Sequence, residues 1–179
     1  GLAKSLGTAN ALVFGSGTDA IVKSAFEYGA DEVFVADDAA LTDYRAEPYA
    51  STLSALASSQ SPDLILFPTT ARTRELAAMT AIDLNTGVLT DITGLEANGD
   101  QLVATRPIYE GKVLEKSVCS GKPVIATIRA RSFPKPEADS SKSGAATKVA
   151  KSDTRTAQRA SARCARFMVK DLRPASEAI

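Results

Sequence analysis

The alternation of strand and helix signals over the first half of the chain limits its fold more than any other feature. The segment "PDLILFPTT", residues 62–70, is a continuous apolar run between prolines, which is typical of a strand in a parallel sheet covered on both faces. Hydrophobic periodicity around it predicts alternating strands and helices, which indicates an α/β fold. The predicted strands are 9–14, 32–36 and 62–70, and the predicted helices are 18–28, 47–58 and 72–84.

The alternation of strand and helix signals stops after Asn85. Four β-rich segments follow, separated by turn signals at Asn98-Gly99-Asp100, Glu110-Gly111 and Ser120-Gly121. Such turns are typical of hairpins, so we expect antiparallel pairing here. A doubly wound dinucleotide-binding domain would instead continue to alternate strand with helix. The four segments are "VLTDITGLE", "LVATRPIY", "KVLEKSVC" and "PVIATIRARSF".

Composition sets the class of protein and excludes several chemistries. A chain of 179 residues with 44% hydrophobic content can bury one core. No apolar run approaches the roughly 20 residues that cross a bilayer, and no signal peptide opens the chain, so we expect no membrane insertion. The opening "GLAKSLGTAN" resembles the second half of a helix, and we expect a fragment whose first strand is missing.

Histidine and cysteine usage argues against a metal site or a Ser-His-Asp triad. The chain has no His and only two Cys, Cys119 and Cys164, without C-x-x-C spacing. Cys119 lies in a strand-like run, and packing is favoured there over reactivity. We therefore expect no catalytic residue and no metal ligand.

A glycine loop raises the question of nucleotide binding. Gly15-Ser16-Gly17 follows an apolar run, Ala20 completes G-x-G-x-x-A, and the next predicted strand is followed by Asp37. This pattern is similar to a dinucleotide fingerprint, in which the acid binds a ribose. A structural turn is favoured, with Asp37 beginning a loop or capping the next segment; a contact in a nucleotide-like cleft and NAD binding stay open.

A second candidate lies at the carboxyl end of the strand in 62–70. Thr69 and Thr70 precede a predicted helix, where Arg72 and Arg74 could hold a phosphate. The favoured interpretation is that Thr70 caps the helix and that the arginines face solvent or a partner.

The end of the chain differs in composition from the rest. Residues 134–151 are rich in Pro, Ser, Ala and Lys and predict a linker or irregular arm. Residues 156–170 read as a helix, and four arginines at helical spacing, the first of them directly before this range, share one face; a solvated face that docks on an acidic surface is favoured over nucleic acid or membrane. These arginines are Arg155, Arg159, Arg163 and Arg166.

Three segments carry a resemblance to a known family. "PDLILFPTTARTRELAAMTAIDLNTGVLTDITGLE" contains the strand Leu64–Pro68, the run Arg74-Glu75-Leu76-Ala77 and Thr90-Asp91-Ile92. "TRPIYEGKVLEKSVCSGKPVIATIRARSF" contains the Arg106–Tyr109 segment and continues through Arg129 to Phe133. With "GADEVFVADDAALTDYRAEPYASTLSAL", they resemble the amino-terminal domain of the electron transfer flavoprotein α subunit over residues 11–133. "DLRPASEAI" resembles the lead-in to that family's second domain.

The resemblance implies a fold and a role. The fold would be a three-layer α/β sandwich, similar to the adenine-nucleotide-α-hydrolase-like fold, with a mostly parallel sheet and an antiparallel hairpin section. Residues 1–133 would form this domain, and residues 134–179 a linker or arm leading toward an absent FAD-binding domain. FAD would be held by that carboxy-terminal domain, so no cofactor ligand is assigned to any residue here.

The role implied is that of an electron carrier subunit rather than an enzyme. It would pair with the β subunit and pass electrons from acyl-CoA and other flavin dehydrogenases to a membrane quinone oxidoreductase, as in β-oxidation. The location would be the cytoplasm of a bacterium or the mitochondrial matrix of a eukaryote. Ile108 and Tyr109 are the expected interface anchors. The arm over 148–170 either wraps the β subunit or is an interdomain tether, and both alternatives stay open here.

Two other functions remain open at this point. One is a nicotinamide-dependent enzyme or another nucleotide-binding domain that uses the Gly15-Ser16-Gly17 loop. The other is a nucleotide-binding regulatory domain of the universal-stress type, with its cleft near Thr69 and Thr70.

Overall fold

The computed structural model describes residues 2–98 and 101–152 and the backbone of 168–174. Its helices are α1 Leu2–Leu6, α2 Asp19–Glu27, α3 Ala46–Gln60 and α4 Ala71–Asp83, with short 3-10 helices at Ala39–Leu41 and Tyr109–Gly111. Its strands are β1 Asn10–Gly15, β2 Glu32–Asp37, β3 Leu64–Pro68, β4 Val88–Ile92, β5 Gly94–Asn98, β6 Gln101–Ile108, β7 Val113–Val118, β8 Val124–Ile128, β9 Ala146–Lys148 and β10 Met168–Pro174.

The strands form three sheets. The first sheet has the order β1-β2-β9 and the second the order β3-β8-β4, and both are parallel. The third sheet has the order β10-β7-β6-β5 and is antiparallel. Helices and strands alternate as far as β4, so the predicted α/β class with parallel strands and an antiparallel section is confirmed.

Local chemistry explains where the helices stop. Helix α2 ends at Glu27 because Gly29 adopts φ +96°, a left-handed conformation that glycine accepts without steric cost. Helix α3 ends at Gln60, and Ser61 takes a left-handed conformation with its N–H donating to the Ala57 carbonyl at 2.8 Å. The predicted helices at these positions are confirmed to within a few residues.

Helices cover the parallel sheets on opposite faces. On one face, Leu53 of α3 and Leu76 of α4 share a core with Phe67 of β3 and Ile125 of β8. On the opposite face, Phe26 of α2 packs on the first sheet in a cluster with Val13, Val33 and Val35. The opposite face of the second sheet packs against the third sheet in a cluster of Leu89, Ile92, Leu95, Ala104, Val124 and Ala126.

One predicted hairpin is wrong. Strand β8 does not return beside β7 after the Ser120-Gly121 turn but lies between β3 and β4, parallel to both. Four of its five residues are buried, because it is the central strand of the second sheet. The antiparallel section therefore consists of β5, β6, β7 and β10.

The predicted helix over 156–170 is wrong where the structure describes it. The backbone of Met168–Pro174 is a strand that pairs antiparallel with β7. The four arginines of the predicted basic face lie outside the described residues.

The segment after Phe133 is irregular as predicted, yet it contacts the first sheet. Strand β9 pairs with β2, and the Val149 N–H donates to the Val35 carbonyl at 2.8 Å. The Ser152 N–H donates to the Thr52 hydroxyl of α3 at 3.3 Å. A domain boundary at 133/134 stays a prediction.

Candidate functional site

The carboxyl ends of β3, β4 and β8 place several predicted residues at one edge of the second sheet. Strand β4 contains a bulge, because Leu89 pairs with Ala126 and Ile92 with Ile128, leaving one extra residue on β4. Asp91 takes up this extra length with φ +57°, and its N–H donates to the hydroxyl of the fully buried Thr127 at 2.8 Å.

The bulge aims the Asp91 carboxylate at the guanidinium of Arg129. Arg129 donates to Asp91 Oδ2 from Nη2 at 2.6 Å and from Nε at 3.1 Å. These charge-assisted hydrogen bonds lower the pKa of Asp91, and the positive charges of Arg129 and Arg74 add to the effect. The Asp91 carboxylate in turn raises the pKa of Arg129 by accepting its hydrogen bonds. The two family-motif residues therefore hold each other as an ion pair rather than presenting a free carboxylate.

The Thr69-Thr70 loop connects β3 to α4, and its backbone N–H groups and the Thr70 hydroxyl form hydrogen bonds within the chain, whereas the buried Thr69 hydroxyl has no hydrogen-bond partner in the described part of the chain. The Thr69 N–H donates to the Ile128 carbonyl at 2.8 Å. Thr70 is the N-cap of α4, and it forms a reciprocal capping box with Thr73: the Thr73 N–H donates to the Thr70 hydroxyl at 3.2 Å and the Thr70 N–H to the Thr73 hydroxyl at 3.0 Å. The predicted cap at Thr70 is confirmed.

Aromatic side chains connect this loop with the end of β1. The Tyr44 hydroxyl donates to the Arg72 carbonyl at 2.8 Å, and the Arg72 guanidinium lies 5.6 Å from the centre of the Tyr44 ring. Tyr49 packs against Tyr44 and stacks on Phe14 of β1 with ring centroids 4.6 Å apart. Burial raises the pKa of both tyrosines. Arg72 is therefore an exposed residue whose guanidinium lies against an aromatic ring, in agreement with the favoured interpretation that it faces solvent.

The glycine loop after β1 is closed by the chain itself. Gly15 and Gly17 have φ of +147° and +69°, which explains why glycines stand there. The Gly17 N–H points at the Asp37 carboxylate, 3.3 Å from Oδ1. Asp37 ends β2, and the neighbouring Asp38, not Asp37, caps the following 3-10 helix through the Ala40 N–H at 2.8 Å.

That arrangement does not fit a bound dinucleotide or flavin pyrophosphate. An anionic phosphate requires free N–H donors, and here a carboxylate already accepts from Gly17. Thr18 precedes α2 as its N-cap without a side-chain cap bond, and a Cβ at Gly15 would come within 3.0 Å of the Thr18 methyl group, whereas a Cβ at Gly17 would meet nothing within 4 Å, so the turn is closely packed at Gly15 only. The residues of this loop are arranged as a structural turn.

A partly buried polar network, in which Glu115 and Ser117 are buried and Thr90 is exposed, ties the antiparallel sheet to the second sheet. Arg106 of β6 donates from Nε to Glu115 Oε2 at 2.7 Å and from Nη1 to the Thr90 hydroxyl at 2.7 Å. Ser117 donates to Glu115 Oε1 at 2.9 Å. Glu115 is only 6% exposed, so its charge depends on these partners. We call Thr90, Arg106, Glu115 and Ser117 the hairpin network.

The network supports a hairpin whose tip is exposed. Strands β6 and β7 are joined at Tyr109–Gly111, where three successive residues have positive φ of 49°, 58° and 87°. Tyr109 is 76% exposed, the largest exposure among the large hydrophobic side chains that the structure describes, whereas Ile108 is half-buried. Tyr109 therefore points outward at the tip of a hairpin whose strands are held by the hairpin network.

Sequence reasoning missed the partners that complete both clusters. No local pattern marks Glu115 or Thr127, because Glu115 stands beside Lys116 and Ser117 in the mixed strand β7 and Thr127 is the one polar residue of the apolar strand β8. A carboxylate within the strand "VLEKSV" was the only available signal for Glu115. Cys119 was expected to pack, and it is a free thiol, half-buried against the apolar cluster between the second and third sheets.

Within residues 2–98 and 101–152, no three His, Cys, Asp or Glu side chains lie together as metal ligands would. No helix in the described part of the chain has the length and hydropathy to cross a membrane. The fold and these clusters define an α/β domain of parallel sheets with an antiparallel hairpin held by a polar network.

Comparison with known proteins identifies the family. The electron transfer flavoprotein domain matches residues 1–154, so the chain belongs to this family. It is 32% identical over 133 residues to the electron transfer flavoprotein subunit alpha of Bacillus subtilis and 36% identical over 119 residues to that of Syntrophomonas wolfei. It is also 39% identical over 115 residues to protein FixB of Azorhizobium caulinodans. The predicted resemblance to the α subunit is confirmed.

The matches cover most of this chain but a minor part of each relative. They span 74%, 66% and 63% of the chain, and 41%, 38% and 31% of the Bacillus, Syntrophomonas and Azorhizobium proteins respectively. The similarity therefore establishes the family of this domain and leaves the activity of a whole protein to be proposed.

Proposed function

We propose that this chain is a structural part of an electron transfer flavoprotein, an electron carrier without a substrate of its own. It pairs with a β subunit and supports an FAD held by a separate carboxy-terminal domain. The observation that carries the proposal is the family match combined with a glycine loop whose geometry does not suit a flavin pyrophosphate. The redox chemistry would belong to the flavin, and this domain would contribute placement.

The wider role follows from the family. The intact protein would take electrons from acyl-CoA and other flavin dehydrogenases and deliver them to a membrane quinone oxidoreductase, as in β-oxidation. The compartment would be the cytoplasm of a bacterium or the mitochondrial matrix of a eukaryote. No nucleic acid takes part in this role.

The braced hairpin is the surface that we assign to the subunit partner. Tyr109 is an exposed aromatic residue, and aromatic side chains are enriched at the energetic centres of protein interfaces. The hairpin network holds the strand behind it, so little conformational entropy would be lost on binding. Tyr109 is accordingly proposed as an anchor for the β subunit.

The test is co-expression of a β subunit with the chain, followed by size-exclusion chromatography and titration. Tyr109→Ser should weaken the heterodimer at least about tenfold, the loss expected from an interface hot spot. Tyr28→Ser is the matched control, because Tyr28 is another exposed tyrosine, directly after α2 and not part of the hairpin. Equal affinity for Tyr109→Ser and wild type would refute the hairpin surface, and no heterodimer with wild type would refute the pairing role.

The competing function is binding of NAD, ATP or AMP through the Gly15-Ser16-Gly17 loop. It requires the Gly17 N–H to exchange the Asp37 carboxylate for a phosphate. Calorimetry with NAD and with ATP should therefore give no saturable heat. A stoichiometric binding isotherm that Asp37→Asn strengthens would favour the nucleotide function instead.

A further inference from the structure

The two central strands of the third sheet turn polar residues inward. An antiparallel sheet with one solvated face normally places its apolar residues inward and its polar residues outward. On β6 and β7, the inward residues include Arg106, which bonds Thr90 of the second sheet, and Glu115 and Ser117, which are 6% and 8% exposed. The hairpin network therefore occupies the side of these strands that faces the second sheet.

The outward residues of the same two strands are mainly apolar. Ala104 packs inward, in the cluster shared with the second sheet, and side chains alternate between the two faces of a strand. Its neighbours Val103 and Thr105 therefore point outward, and the register of β6 with β7 extends this assignment to three cross-strand pairs. The pairs are Val103 with Val118, Thr105 with Lys116, and Pro107 with Leu114.

Strand β5 adds a charged residue and a glycine to this surface. Gly94 pairs with Thr105, and Glu96 pairs with Val103. The Lys116 ammonium lies 4.0 Å from the Glu96 carboxylate, so both charges are on the outward side of the sheet. Gly94 leaves its position on that side without a side chain. We call the three cross-strand pairs, together with Gly94 and Glu96, the outer face.

The apolar part of the outer face packs in none of the core clusters that the described residues form. Val103, Leu114 and Val118 are half-buried, yet they belong to none of the three clusters. Residues on both faces of the parallel sheets, by contrast, belong to these clusters. Apolar side chains grouped on an outward face and bordered by charged residues are typical of a surface that binds another molecule.

The charges of the outer face are complementary to themselves. Its cation, Lys116, and its anion, Glu96, have side chains that are 42% and 71% exposed. A two-fold axis brings the same surface of two copies together, so that surface must complement itself. With the axis along β6, Lys116 on β7 of one copy lies opposite the Gly94 position on β5 of the other, two residues from Glu96. The ammonium of one copy can then reach the carboxylate of the other across a position without a side chain.

We propose that the outer face packs face to face on the outer face of a second copy of this chain. The two sheets would lie about 10 Å apart, as in a β-sandwich. Val103 of both copies would form the centre of the contact, with Leu114 and Val118 beside it. Burial of these residues drives the association, and the two ion pairs between the copies select its orientation.

The test measures self-association of the full chain by sedimentation equilibrium. Concentrations run from about 1 μM to about 1 mM, the range of weak to moderate affinities, with a reductant present because the chain contains two cysteines. Wild type should form dimers and no larger species, since a two-fold contact is closed. Lys116→Glu and Glu96→Lys should each weaken the dimer at least about tenfold, because each sets like charges opposite each other twice. An equimolar mixture of the two variants should recover a dimer with one copy of each, because both ion pairs then form.

A further substitution tests the apolar centre without changing the charges. Val103→Thr keeps the β-branched shape that suits a strand, and it should weaken the dimer at least about tenfold because the residue occurs twice at the centre. Ile82→Thr is the matched control, since Ile82 is 59% exposed on α4, outside the outer face. It should leave the dimer unchanged. Circular dichroism and the melting temperature show whether each variant is folded.

Four outcomes would overturn the proposal. The chain could stay monomeric over the whole range, or form a dimer that Val103→Thr does not weaken. The mixture of Lys116→Glu with Glu96→Lys could fail to recover the dimer. A monomeric chain whose Val103→Thr variant binds a β subunit more weakly would assign the outer face to that subunit instead. Tyr109 lies at the hairpin tip, outside the outer face, so Tyr109→Ser should leave self-association unchanged, and the proposed function is tested separately.

Discussion

Asp91 shows how one residue can carry both a backbone and an electrostatic task. Its left-handed φ of +57° fits the bulge in β4, and its carboxylate pairs with Arg129. Asparagine tolerates the same backbone conformation but carries no charge, so Asp91→Asn separates the two tasks. The arrangement therefore offers a direct test of the ion pair.

We expect the contribution of Asp91 to depend on pH in a definite direction. The pKa of Asp91 is lowered in the folded state, so its stabilisation is full above the ordinary Asp pKa of about 3.9 and is lost as pH falls through the lower folded value. Asp91→Asn should cost about 1 kcal/mol near neutral pH. Urea unfolding from pH 6 down to acid should show this difference shrinking below about pH 4. A difference independent of pH would contradict the ion-pair role.

The hairpin network predicts non-additive substitutions. Arg106→Met leaves the buried Glu115 charge with Ser117 alone and should cost about 3 kcal/mol, whereas the double variant Arg106→Met, Glu115→Leu should cost less than the single one. Lys116→Met is the control, because Lys116 contacts the exposed Glu96 at 4.0 Å and contributes little. Additive losses in urea denaturation would mean that Arg106 and Glu115 act separately.

At the scale of elements, sequence reasoning located strands and helices better than their partners. Local patterns predicted β8 as a strand, but not that it lies between β3 and β4. The glycine at Gly121 signalled a turn, and the structure gives it another reason: a Cβ there would come within 2.5 Å of the Thr86 hydroxyl, before β4. Such close approaches, like the pairing of Asp91 with Arg129, join residues distant in sequence and leave no local pattern.

The packing of residues 134–151, which contain β9, on helix α2 can be tested by one substitution. A Cβ at Gly144 would lie 2.5 Å from the ring of the buried Phe26 of α2, so Gly144→Ala should cost about 1–3 kcal/mol. Gly94→Ala is the matched control, since its Cβ would meet Thr105 at an ordinary 3.4 Å. Thermal unfolding and the exchange rate of the Val149 N–H report the effect. Equal melting temperatures for the two variants would show that the arm does not pack on α2.

At the scale of the whole molecule, β9 decides where the folded unit can end. Strand β2 is almost fully buried and receives β9 along one edge. A chain ending at Phe133 would open that edge, remove the Val149 bond to Val35, and also lose the contacts of Ser152 with α3. Comparing only that short version with the full chain would therefore confuse loss of folding with loss of partner contacts.

A chain ending at Ser152 separates the two effects. It keeps β9 with Lys148 and Lys151 and removes β10 together with the other basic residues of the arm over 148–170. We expect its melting temperature to exceed that of the chain ending at Phe133, because β2 stays paired on both sides. If the terminal arm contributes to pairing, the Ser152 version should bind a β subunit more weakly than the full chain while exchange in β2 stays slow. Equal binding would make the arm a tether, and equal melting of the two shortened chains would show that β9 does not stabilise the first sheet.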